Sequence, residues 1–136
     1  MRVPNWDKLL NEYIESKRYT NFEWGINDCY TFTSGAVETI TGTNPCFDIV
    51  GSYTNAREAL EQYSSLGNLD NILDEHFERF EGRIAPRGSI IVKKIENDFK
   101  VFGAALGIVI DHRAAFVTPQ GLTLLVIHED DKAWLV

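Results

Sequence analysis

Cys29 closes the turn Trp24-Gly25-Ile26-Asn27-Asp28-Cys29. It also opens a run whose apolar residues Cys29, Phe32, Ala36, Val37 and Ile40 recur at helical spacing. A thiol attacks as its thiolate, and the first turn of a helix favours that form, because free backbone N–H groups and the macrodipole stabilise negative charge there. Gly25 allows the chain to turn tightly just before it. Cys29 is therefore the candidate catalytic residue. A cysteine hydrolase also needs a base, normally a histidine within hydrogen-bond reach. The same cysteine fits the apolar stripe of its helix, where a buried thiol acts as a small hydrophobe. The two readings separate on whether a base stands beside the sulfur.

The elements that must position Cys29 can be read from periodicity. Residues 5–18 read as a helix, with Asn5 as its cap, a face of Trp6, Leu9, Leu10, Tyr13 and Ile14, and Lys17 and Arg18 in the last turn. A connector covers residues 19–28. The helix that carries Cys29 spans residues 28–41, with Asn27 or Asp28 as cap and Gly42 as stop. Its threonines and Gly35 make it weak by propensity, so packing must hold it and it is expected to be central. A loop follows over residues 43–54, then a third helix over residues 55–65 and a short fourth over residues 69–80. Pro86 and Gly88 mark a break.

The pattern then changes to strands: residues 89–92, 101–110, 114–118 and 122–128, the last two joined by Pro119-Gln120-Gly121. The chain ends on Trp134-Leu135-Val136. Helices first and strands second imply one α+β domain over residues 1–136, with N-terminal helices packed on a C-terminal antiparallel sheet.

Bulk properties exclude several classes. Hydrophobic residues make up 44% and charged residues 24%, a balance that argues against disorder. The net charge is −7 with no basic cluster, which disfavours nucleic acid and anionic membrane surfaces as partners. No apolar run reaches the length of a membrane span, and the N-terminus lacks the apolar core of a secretory signal. Synthesis in a cytoplasm without export by such a signal is expected. Two cysteines, Cys29 and Cys46, are too few for a disulfide scaffold. Together with His76, His112 and His128 they show no metal-ligand spacing, so neither metal nor cofactor is expected. The acidic stretch Asp70, Asp74, Glu75, Glu78 and Glu81 reads as a solvated face. The aromatic group Tyr19, Phe22, Trp24 and Tyr30 reads either as a groove wall or as core.

Trp24-Gly25-x-x-Asp28-Cys29, followed by Phe32, Val37 and Thr41-Gly42, resembles the opening of the NlpC-type cell-wall peptidases, a reduced papain-like fold. In that family an Asp-Cys pair opens the central helix and the cysteine is the nucleophile. The chain is still more similar to a phage and prophage branch that shares this turn, a segment like Tyr53-Thr54, a pair like Gly121-Leu122 and a terminal Ala133-Trp134. The family's strand opening in Gly-Asp-Ile/Val is matched by Gly88-Ser89-Ile90. Its next strand carries the catalytic histidine in a His-Val-Gly-Ile pattern, and the matching stretch here is Ala105-Leu106-Gly107-Ile108. Alanine thus stands at the base position. His112, at an odd offset from Ala105, falls on the opposite face of a regular strand. His128 ends a later strand far from the start of this one, and His76 reads as a helix surface residue.

The resemblance implies a virion protein: a phage tail-tip or tail-assembly component with an NlpC-like fold and an incomplete catalytic site, whose partners are other tail proteins. The alternative it implies is a cysteine hydrolase that cuts bacterial peptidoglycan through Cys29. The residue facing Cys29 is expected to be Ala105 or a close neighbour, with no imidazole in contact.

Overall fold

The computed structural model describes residues 2–43, 54–55, 57–58, 61, 69–93 and 105–136. Cys46, most of the helix expected over residues 55–65 and the first residues of the strand expected from residue 101 lie outside them.

Helix α1 spans Trp6–Lys17 and α2 spans Cys29–Thr41. Asn5 does not cap α1 through its side chain; it sits in the left-handed region at φ 61°. Asp28 does cap α2. Its carboxylate accepts the N–H groups of Tyr30 and Thr31, and Thr31 Oγ1 accepts the N–H of Asp28. These reciprocal bonds satisfy helix-end donors that would otherwise be buried unpaired. Gly42 stops α2 at φ 79°.

The weak propensity of α2 has its expected compensation. Cys29, Tyr30, Phe32, Ala36, Val37 and Ile40 are all buried, so the helix is held by packing on more than one side. Gly35 is required where α1 crosses. A Cβ there would lie 2.3 Å from the Tyr13 hydroxyl, which donates to the Phe32 carbonyl at 2.7 Å while the two rings stack at 5.6 Å.

The residues expected to form a fourth helix divide. Leu69–Asp74 is helix α3, and Glu78–Glu81 is strand β1. A 3-10 turn, Gly82–Ile84, leads towards β2 (Ile90–Lys93), β3 (Ala105–Val109), β4 (Arg113–Thr118), β5 (Gly121–Val126) and β6 (Lys132–Leu135). The sheet order is β1-β6-β2-β3-β4-β5, with every neighbouring pair antiparallel. The α+β architecture with helices before the sheet is as expected. Two strands extend it beyond the expected set, since the terminal Trp134 segment is β6 and lies inside the sheet between β1 and β2.

Both faces of the sheet carry buried residues along β2, β3, β4 and β6. Ile90, Leu106, Ile108, Ala115, Val117 and Trp134 join α1 and α2 in the main core. On the other face Ile91, Ala105, Val109, Ala114, Phe116 and Ala133 form a second cluster, with Ile127 from the β5–β6 connection. That connection is fastened by Asp131, whose carboxylate takes Lys93 Nζ at 2.8 Å and the His128 N–H at 2.9 Å. The Asp131 carbonyl accepts the Gly82 N–H at 2.9 Å. Gly107 leaves room for Phe116, because a Cβ at Gly107 would stand 2.5 Å from the Ala115 carbonyl oxygen and 2.7 Å from the Phe116 ring.

Candidate functional site

The turn before Cys29 is a self-bonded unit. Gly25 takes φ 80°, and its N–H donates to Asp28 Oδ2 at 2.8 Å. Asn27 bridges back to Glu23, and its Nδ2 donates to the carbonyls of Thr20 and Asn21. Asp28 is fully buried and Asn27 nearly so. The Trp-Gly-x-x-Asp-Cys spacing therefore has a structural cause that needs no chemistry. Glycine supplies a left-handed residue, and aspartate ties the turn to the helix it caps.

Cys29 lies in the first turn of α2, as the sequence implies, and its side chain is 2% exposed. Leu106 belongs to the same core cluster as Cys29, on the α2 side of the sheet, and its backbone amide is among the groups that favour the thiolate. Leu106 is the immediate neighbour of Ala105. The Ala105 side chain belongs to the cluster on the other face of the sheet, as the two-residue period of a strand requires. Of the positions expected to face Cys29, Ala105 thus points away from α2 and its neighbour Leu106 lies on the α2 side.

Burial outweighs the helix terminus in setting the thiol. Removal from water pushes Cys29 up to about 12. The amides of Leu106, Cys29 and Tyr30 pull the other way, and the neighbouring Asp28 carboxylate pushes upward again. No imidazole is among the groups acting on the sulfur. A neutral, enclosed thiol is a poor nucleophile.

This state has a consequence for stability. The folded thiol keeps its proton until about 12, whereas its ordinary value is 9.0. Below about 9 both folded and unfolded chains hold the proton. Between about 9 and 12 only the unfolded chain releases it, so Cys29 subtracts roughly 1.4 kcal/mol of stability per pH unit across that window. Urea unfolding at pH 8 and pH 10.5 should show a steeper loss for the wild type than for Cys29→Ala. Equal slopes would mean that the thiol already ionises in the folded protein.

The three histidines are all exposed. His112 sits in the β3–β4 turn, past the end of β3, with its ring nitrogen 3.5 Å from Asp111. His128 is not in a strand, since β5 ends at Val126; it lies in the turn that Asp131 fastens. His76 follows α3 and its ring lies 6.3 Å from that of Phe77. Of the aromatic group, Tyr30 is fully buried, and Phe22 and Trp24 meet edge-to-face at 4.8 Å against the core. Tyr19 is 80% exposed beneath the Arg18 guanidinium.

Three of the five acidic residues of the stretch, Asp70, Asp74 and Glu81, are in ion pairs, while Glu75 and Glu78 are exposed. Asp70 meets Lys132, Asp74 takes the Arg79 guanidinium through two bonds, and Glu81 meets Arg83. Hydrogen bonds from Arg79 and Trp134 hold the Asp74 carboxyl below its ordinary range. Among the described residues no group of three His, Cys, Asp or Glu is placed to hold a metal ion. No described helix is long and apolar enough to cross a membrane. One cleft of about 700 Å³ lies between Thr41, Phe77 and Leu135, and another of about 660 Å³ lies between Arg83, Ile127 and Glu129. Cys29 lines neither.

Residues 1–136 match the family model described as a domain of unknown function (DUF6950). The chain belongs to this family. Searches of curated proteins and of solved structures return no match. The match spans the full DUF6950 chain, including the Asp28 cap, the buried Cys29 and the terminal β6 strand.

Residue spacing places the thiol but not all the groups that act on it. The Leu106 amide could not be foreseen because it depends on strand register. The threefold acceptor role of Asp28 left a signal in the Asp-x-x-Thr spacing of residues 28–31, which is that of a reciprocal cap.

Proposed function

We propose that this DUF6950 chain is a non-hydrolytic assembly protein with an NlpC-like fold, working in a phage tail or tail tip bound to other tail proteins. The observation that carries the non-hydrolytic part is the environment of Cys29: 2% exposed, raised to about 12, and without an imidazole among the groups that act on it. Loss of a general base alone removes roughly 10²–10⁴-fold of rate, and a protonated nucleophile removes more. The phage-tail part rests on the resemblance of the Trp24–Cys29 turn and of the Gly121-Leu122 and Ala133-Trp134 pairs. On this reading the Asp28-Cys29 pair persists as the cap and core of α2.

The test compares phage particles carrying Cys29→Ala with particles lacking the protein. Deletion should halt tail assembly, while Cys29→Ala should assemble and infect like wild type. Normal assembly with infection abolished by Cys29→Ala would establish the alternative, a peptidoglycan hydrolase that uses Cys29. Normal tails after deletion would remove the assembly role itself.

A further inference from the structure

We draw no further inference here: the strongest candidate, the outer edge of β5 with Leu124 and Val126 exposed, already has its Leu122 N–H bonded to Arg18 and its Val126 carbonyl to Lys93, and nothing in the structure shows what covers the apolar side chains there.

Discussion

Asp131→Ala is expected to destabilise the protein by about 3–5 kcal/mol, because it leaves the Lys93 ammonium with only the Val126 carbonyl, 3.3 Å away, in a site where 13% of that side chain meets solvent. The same carboxylate also holds the His128 N–H, so its loss loosens the connection between β5 and β6. A surface ion pair of equal length would be worth about 0–1 kcal/mol, so the size of the effect reports burial and not charge alone. Replacing both partners with apolar residues, as in Lys93→Met with Asp131→Leu, should restore much of the loss, since no buried charge then remains unpaired. Urea unfolding of the two single variants and the double variant checks this. A cost under about 1 kcal/mol for Asp131→Ala would mean that water reaches the pair in solution.

Trp134→Ala is expected to cost about 3–5 kcal/mol, the range for emptying a core site of a large aromatic. Trp134 is fully buried in β6, opposite Ile90 on one side and Arg79 on the other. Its Nε1 donates to Asp74 at 2.8 Å, and the Arg79 guanidinium lies 5.3 Å from its ring. Trp134→Phe keeps most of the packing and loses the bond to Asp74, so it should cost distinctly less. Thermal or urea unfolding distinguishes the two. If Trp134→Ala unfolds like wild type, β6 does not lie between β1 and β2 with its tryptophan in the core.

Those two sites mark where sequence reasoning runs out. Helix α2 was legible because its signals are local: Asp28 at one end, Gly42 at the other, and an apolar stripe between them. Strands β2 to β5 announced themselves through β-branched runs and the Pro119-Gln120-Gly121 turn. Strand β1 is Glu-Arg-Phe-Glu, and nothing in those residues favours a strand over the end of a helix. It becomes one by pairing with β6, whose residues come near the end of the chain. Strand β6 in turn needs β1 and β2 on its two sides, so a four-residue segment gains its structure from partners far away in sequence. His128 falls outside β5 because the Asp131 carboxylate takes its N–H in a local turn, and Lys93, distant in sequence, binds the Val126 carbonyl where the strand ends.

The candidate site divides along the same line. That Cys29 opens a buried helix follows from spacing. Whether it is a thiol or a thiolate does not, because helix N-terminus and burial push in opposite directions and only the sheet decides how complete the burial is. Ala105 shows how narrow the margin is. One residue of register separates the face that meets Cys29, carrying Leu106, from the face that meets Ile91 and Phe116.

The most direct measurement is the site-resolved alkylation rate of Cys29 in the folded protein, with iodoacetamide at pH 7.5 and peptide mapping to separate it from Cys46. Rates in native buffer and in denaturant give the protection of the folded state. The account predicts that Cys29 stays unmodified over hours in native buffer and reacts freely in denaturant, as befits a thiol that is 2% exposed and raised to about 12. Modification of native Cys29 within minutes at pH 7.5 would show an accessible thiolate and contradict the account.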